Sequence, residues 1–441
     1  MGELQRRLTR IDALAIALGG VIGVGVFRNT GLVLRGTGGL VGATLLWLIV
    51  GWVCLAGAIL YADLSSRVPE AGGPYAYVRV AFGRPMGFVY GWMNAAVSMP
   101  VRQAATVAFA GELLASWLPG GSRWLAVGVL VVLAGVNLLG VRAGAITQRV
   151  LTTAKLGTVG LVIGLGVLLG LSGAPHATTA VTTPVSLGVA VGACWYTYLG
   201  WQDVVLLAEE LHQPRRDLPV VLVGTVAFTM AIYLAVHLAV YAGLGGGPEA
   251  YGDLPARDIA GHVLGGFGLS LLTFLTLAST LGGSAESMMV RPRIAMALAR
   301  DGLAPAPIAR INRAGTPYGA IVFHSALALV LVASGTYDKL LPLLAFAQGF
   351  LGVFETASYF RVRRARPELP TSRLHPWGPL AFIATNLTLC VLTGRDSPRS
   401  IAFMLAALAV ISVVHHIARP RPAAPGPTSA ASPQIQPDAE T

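Results

Sequence analysis

The sequence predicts an all-α membrane protein with twelve transmembrane helices, and three observations carry that prediction. Of 441 residues, 54% are hydrophobic and 12% charged, about half the charged share of an ordinary soluble domain. Apolar runs of at least about 17 residues recur along the chain, the length a helix needs to cross the hydrocarbon layer at 1.5 Å per residue. The basic residues fall unevenly between alternate connections, as they do in a membrane protein of fixed orientation.

The runs lie at 11–34, 40–62, 86–117, 123–140, 148–171, 186–208, 219–243, 264–298, 318–334, 339–360, 378–394 and 400–417. Lipid offers the backbone no hydrogen-bond partner, so each must be helical rather than an open strand. Two of them, 86–117 and 264–298, exceed the bilayer thickness and are expected to tilt or to project into the cytoplasm.

A net charge of +11 invites a nucleic-acid reading, which the placement of the charges excludes. With the N-terminus taken as cytoplasmic, six of the 31 Lys and Arg lie on outer connections: Arg35, Arg123, Arg257, Lys339, Arg395 and Arg399. Arg28, Arg102 and Lys155 fall within spans, and the remaining 22 are inside. That excess puts both termini in the cytoplasm of a multi-pass protein of the cell (inner) membrane.

Arg6, Arg7 and Arg10 lead directly into an apolar run longer than a signal core and without a small-residue cleavage site, so the first span is expected to be retained. Cys54, Cys194 and Cys390 sit in apolar surroundings without metal-like spacing and read as packing residues. The segment 421–441, rich in Pro, Ala and Ser, is expected to be a disordered cytoplasmic tail. No cofactor is implied, and no His/Asp/Glu spacing suits a metal or an activated nucleophile, so an enzyme is not expected.

The first span is interrupted at its middle by "VIGVGVFRNTG", residues 21–31. This is no dinucleotide fingerprint: "GVIGVG" lacks a preceding strand and the G-x-G-x-x-G spacing. Close packing of helices through small residues is the plainer explanation. A partner changes the balance. The sixth span carries "CWYTYLGWQD" at 194–203, with aromatics around Gly200 and an acid that is costly in lipid.

Glycine-interrupted spans at positions one and six are the signature of a five-plus-five inverted repeat with its site where the two breaks meet. The repeats would be 11–171 and 186–360, preceded by a short cytoplasmic segment 1–10 and followed by two added helices over 378–417. A break exposes backbone groups. Amides of Val24, Gly25, Val26 and Phe27 at the start of the outer half-helix suit a carboxylate. Carbonyls of Gly20 to Ile22 before the break, and those around Tyr196, Thr197, Tyr198 and Leu199, suit an ammonium. Amides on one side and carbonyls on the other fit the two ends of an amino acid. The expected substrate site is therefore Ile22, Gly23, Val24, Gly25 and Val26 with Tyr196, Thr197, Tyr198, Leu199, Gly200 and Trp201, the last placed as a lid beyond the second break.

Four segments carry a resemblance: "GGVIGVGVF", "ITQRVLTTAKL", "YTYLGWQDVVLLAEELHQPRRDLP" and "TLASTLGGSAESMMVRPRIAMALARDGLAP", in spans one, five, six and eight. In order and spacing the chain resembles bacterial amino acid permeases of the amino acid–polyamine–organocation (APC) superfamily, to about residue 420. The resemblance implies the leucine-transporter fold. It also exposes a departure, because Val24 stands where many relatives have Ser or Thr between the two glycines.

Ionisable side chains within spans are costly unless paired or placed in a cavity. Lys155, near the start of the fifth span, could snorkel to the cytoplasmic interface. The resemblance instead implies an ammonium between carbonyls of the broken first span and the hydroxyls Ser279 and Thr280 of the eighth, where sodium-coupled relatives hold a cation. A proton gained or lost there would lock or release the first span. Arg28 and Arg102 could pair with Asp203, Glu286, Glu112 or Glu355 in neutral networks, or one could line the pocket and select an acidic or polar side chain. Glu209 or Glu210 is implied, by resemblance, to tie the following loop to an inner gate. His237 and His324 read as core histidines.

The expected function is alternating-access transport of amino acids across the membrane, coupled to protons. Exchange of one amino compound for another is the alternative, and an amino acid sensor on a transporter fold is a weaker one, since neither terminus supplies a signalling domain. Aromatics at 196, 198 and 201 favour neutral or apolar side chains, whereas Asp203, if it faces the pocket, favours a cation.

Overall fold

The computed structural model describes residues 6–23, 25–173, 185–246, 251–252, 254–334, 337–367, 374–396 and 398–418. Val24 and the segment 421–441 lie outside them. The described chain is helical, with a single pair of residues, Leu8 and Leu211, in a parallel β-bridge.

Among the described residues, helices cover most of each of the twelve apolar runs. The first is split into α1 (Arg10–Val21) and α2 (Gly25–Gly36), whose axes diverge by 43°. Next come α3 (Leu40–Arg67) and α4 (Pro74–Trp92), the latter running through a turn of π-helix, Met93–Ser98, into α5 (Met99–Leu114). They are followed by α6 (Ser122–Leu138) and α7 (Val141–Ser172). The sixth run gives α8 (Leu187–Tyr198) and a 3₁₀ stretch, Trp201–Glu210. Then come α9 (Pro214–Leu244), α10 (Pro255–Val290), α11 (Pro292–Arg300), α12 (Tyr318–Ser334), α13 (Tyr337–Ala365), α14 (Trp377–Asp396) and α15 (Pro398–Ala418).

By length and apolarity α3, most of α7, α9 and the α10–α11 stretch can each cross a bilayer, and the bent α1–α2 pair can do so as one span. Shorter apolar helices cover Ser122–Leu138, Tyr318–Ala333, Trp377–Leu392 and Ile401–His415. Large apolar side chains such as Val41, Val132, Leu171, Phe267 and Val410 stand exposed on the outside of the bundle, as a lipid-facing surface requires.

Several helices begin before the apolar run. Proline opens α4, α9, α10 and α11 at the first turn, where its missing N–H costs nothing. The long third and eighth runs thus extend back to Pro74 and Pro255, each bending once at a glycine of positive φ: Gly83 at 84° and Gly265 at 61°. α1 starts with a capping box in which the Thr9 hydroxyl and the Asp12 carboxylate satisfy each other's backbone amides.

The packing brings the two broken elements together. α1 lies against α7, α9 and α10, α2 lies along α8, and α3 packs along α9. On the side where α1 begins, charged pairs knit the ends. Arg10 bonds Asp217 at 2.8 Å, Arg149 bonds Asp12 at 2.5 Å, Arg300 bonds Glu209 at 2.7 Å, and Arg293 pairs with Glu210 where both side chains are fully buried. The Ala71 amide donates to the second Glu209 oxygen at 3.0 Å, and the amides of Arg7 and Leu8 both reach the Glu210 carbonyl at 3.0 Å.

Candidate substrate site

The two breaks cross. At Gly200 the backbone takes φ 123°, a conformation open to glycine, and a β-carbon there would fall 2.4 Å from the Gly20 carbonyl oxygen. Glycine at 200 is therefore required twice, by torsion and by contact. Around Gly23 the space is open, since a β-carbon would meet nothing within 4 Å. Gly25 differs: its α-hydrogen faces Thr197, whose Oγ1 and Cα lie 3.0 and 3.2 Å from the β-carbon position.

Several backbone groups expected to be open are engaged by side chains. The Tyr233 hydroxyl, on α9, reaches the Val21 carbonyl at 2.7 Å and the Thr197 carbonyl at 3.0 Å, so one phenol bridges both breaks. Asn29 donates to the Ala193 carbonyl at 3.1 Å and to Thr197 Oγ1 at 2.9 Å, fastening α2 to α8. Leu199 caps α8 by bonding the Tyr196 carbonyl at 3.2 Å. Ile22 and Val26 are buried in the core.

The aromatic lining is also redistributed. Tyr198 is fully buried behind the break, its ring tilted against Trp47 and edge-on to Tyr233, and it donates to the Trp47 carbonyl at 3.1 Å. Tyr196 is half-buried and packs on the core. Trp201 is buried with its ring edge-on to Tyr61 at 5.3 Å. It walls a small cavity of about 20 Å³, room for little more than one water, with Trp195, Leu199, Gln202, Gln348 and Glu355.

Lys155 does not reach for the membrane surface. It is 1% exposed, and its ammonium donates to the Gly19 carbonyl at 2.5 Å, one turn before the first break. On the eighth run Gly282 lies against it, with a β-carbon position 2.6 Å from Lys155 Cε. Thr280 instead donates back to the Thr276 carbonyl at 2.8 Å, and the buried Ser279 hydroxyl has no hydrogen-bond partner among the described residues. Thr152, a turn earlier on α7, donates to the Ala15 carbonyl at 2.9 Å, so α7 grips α1 at two levels.

Of the four candidate network residues, Asp203 pairs with neither expected arginine. It is bonded by Arg291, both side chains being buried. Glu286, 1% exposed, presents its carboxyl carbon 3.0 Å from the β-carbon position of Gly20. Its electrostatic neighbours are Asp203, Arg291, Arg102 and Lys155. Arg102 lies at the same crossing, with Nη2 3.1 Å from the β-carbon position of Gly200 and a long 3.5 Å contact to the Leu199 carbonyl. Arg28 is half-buried on α2. Glu355 is held by the hydroxyls of Tyr61 and Tyr90. His237 meets Thr44 at 3.1 Å in the core.

Breaking the Arg291–Asp203 pair from one side leaves a buried charge without compensation. Arg291→Leu is expected to cost about 3–5 kcal/mol, read as a lower thermal unfolding midpoint of the purified protein. Adding Asp203→Leu should return most of the loss. An unchanged midpoint in the single variant would show that the pair does not hold the fold.

A helical membrane bundle in which two interrupted helices cross at glycines, with a buried amine beneath one break, is the architecture of a substrate-translocating permease. The chain belongs to the amino acid permease family, whose profile matches residues 8–422. The serine/threonine exchanger SteT of Bacillus subtilis is 27% identical over 397 residues, 86% of this chain and 89% of that protein. The human large neutral amino acids transporter small subunit 2 is 26% identical over 388 residues, 83% of this chain and 71% of its own. The human cystine/glutamate transporter is 26% identical over 415 residues, 90% and 82% of the two chains.

Proposed function

We propose that this permease is a secondary transporter that moves amino acids across the cell membrane by alternating access, with substrate at the crossing of the breaks in α1–α2 and α8. The observation that carries the reading is the crossing itself, where Gly200 lies against the Gly20 carbonyl while the space at Gly23 beside it is open. Twelve spans, ten of them in two inverted repeats over 11–171 and 186–360, accommodate all the described helices. In that arrangement both termini are cytoplasmic, and the ion pairs Arg10–Asp217, Arg149–Asp12 and Arg293–Glu210 close the inner side.

Proton coupling is the driving mode we infer, with Lys155 as the coupling group. Three cations, Lys155, Arg102 and Arg291, share this core with two carboxylates, Asp203 and Glu286. Loss of one proton from Lys155 removes the unbalanced charge, and a neutral cluster is the cheaper one to bury. Exchange is the second reading, favoured by the exchanger named among the relatives.

The decisive experiment is uptake and counterflow in proteoliposomes, with radiolabelled amino acids and polyamines, under an imposed pH gradient without sodium. Accumulation driven by the gradient supports symport. Counterflow without net accumulation supports exchange, and transport of no amino compound overturns the reading.

A further inference from the structure

A second cavity, far larger than the one beside Trp201, shares no lining residue with the crossing of the breaks. Its volume is about 390 Å³, within the range of about 300–1,000 Å³ common to small-molecule sites. It opens where the end of α5, the start of α6 and the end of α12 meet, and its walls carry Glu112, Ser122, Arg123, Trp124 and Val332. Glu112 and Arg123 are both exposed and make no ion pair with each other, so one cavity presents two separate charges of opposite sign. Trp124 is 71% exposed, and Trp117 and Leu118 on the connection leading to it are exposed as well. Tryptophans at the end of a spanning helix sit at the level of the lipid head groups, with the ring toward the apolar layer. From Trp124 one stripe of α6 continues through Gly128, Val131 and Gly135, all exposed, and β-carbons at the two glycines would meet nothing within 4 Å. The cavity thus leads into a shallow apolar furrow along the helix.

We propose that this cavity binds the head group of an aminophospholipid of the outer leaflet, with Arg123 on its phosphate, Glu112 on its ammonium and an acyl chain in the furrow of α6. Charge complementarity selects this occupant. A guanidinium offers parallel N–H groups that match a phosphate, and a primary ammonium brings three donors to a carboxylate. A choline head has no N–H to give Glu112. A glycerol head has no positive charge, so its phosphate gains Arg123 but is repelled by Glu112. The ethanolamine head alone of the three satisfies both ends. Bound there, the lipid touches three helices at once and holds the end of α5 to α6 and α12, and a ligand that binds the folded form alone raises its stability. The inference rests on the chain spanning a membrane and on the orientation proposed above, and not on which compound is transported.

The test titrates the full chain, purified in detergent, with phosphatidylethanolamine, phosphatidylcholine and phosphatidylglycerol of identical acyl chains. Retained lipid is counted by native mass spectrometry, and the thermal unfolding midpoint is followed alongside. The parent protein is expected to hold phosphatidylethanolamine about tenfold more tightly than the other two, the worth of one charge-assisted hydrogen bond, and to unfold at a higher temperature with it. Glu112→Gln should bring phosphatidylethanolamine down to the level of phosphatidylcholine and leave the latter unchanged. Arg123→Gln should weaken both, because both carry the phosphate, and Arg123→Lys should restore most of the loss. Without lipid the variants should unfold where the parent does, since both side chains are exposed. Equal retention of the three lipids by the parent, a preference that survives in Glu112→Gln, or retention of no lipid overturns the site. Soluble glycerophosphoethanolamine that competes as well as the lipid would show a free head group to be the ligand, and a dimer lost in Trp124→Ala would give the face to a second copy; either result also overturns it. Uptake by the parent protein tests the transporter reading separately, and neither outcome decides the other.

Discussion

Lys155→Ala is expected to abolish accumulation driven by a pH gradient and to leave any surviving exchange independent of pH. The amine is enclosed, and its bond is to the Gly19 carbonyl of α1, the half-helix that ends at the first break. Charged, it ties α7 to that half-helix. Neutral, it gives up the charge-assisted part of the bond, and α1 is released to tilt. With the proton carried alongside the substrate, as proposed above, accumulation in the parent protein should rise as the outside is made more acid and should not require sodium. Alanine removes both the titrating group and the tether. The measurement is initial uptake against external pH, with and without sodium, for parent and variant. A sodium requirement, or a pH dependence that persists in Lys155→Ala, would show the driving ion to be bound elsewhere.

Much of this arrangement is legible in the sequence because its cause is local. Glycines also lie inside unbroken helices such as α3 and α7, so Gly23 and Gly200 mark the two breaks through their pairing at the first and sixth spans rather than by residue type alone. Lys155 is conspicuous as one of two lysines in the chain. What the sequence leaves open depends on side chains arriving from elsewhere. Asp203 is paired by Arg291, 88 residues away, and local spacing favoured neither that partner nor any other. Tyr233 lies in an unremarkable apolar run, yet its hydroxyl reaches both breaks.

Helix rotation is a second source of difference. Tyr196 and Tyr198 differ by about 200° around an α-helix at 100° per residue, so they cannot line the same pocket. Tyr198 turned out to face Trp47 and Tyr233, behind the break. Helix starts were misplaced for a related reason: apolarity marks the part of a helix that meets lipid, whereas α4 and α10 begin at prolines outside that part. A hydroxyl near an amine in a sequence pattern likewise need not be its partner. Thr280 bonds its own helix, as threonine in a helix commonly does.

Gly23→Leu is expected to eliminate substrate binding in a protein that folds as well as the parent, and Gly25→Ala to do nearly the reverse. From the sequence alone Gly25 is the position where a bulky side chain is expected to block the site in a folded protein, and its contact with Thr197 moves that expectation to Gly23. Their surroundings separate them. At Gly23 a β-carbon would meet nothing within 4 Å, so a leucine side chain starts into open space beside the crossing, the volume proposed for the substrate. A loss of affinity of at least about tenfold, or 1.4 kcal/mol, follows from blocking that volume alone. At Gly25 even one methyl meets the Thr197 hydroxyl at 3.0 Å and its α-carbon at 3.2 Å. That contact is with the helix to which Asn29 fastens α2, and overpacking of this kind costs about 1–3 kcal/mol. Binding by competition and thermal unfolding, measured on both variants, distinguish the two effects. Full binding by a folded Gly23→Leu protein would place the substrate away from the first break.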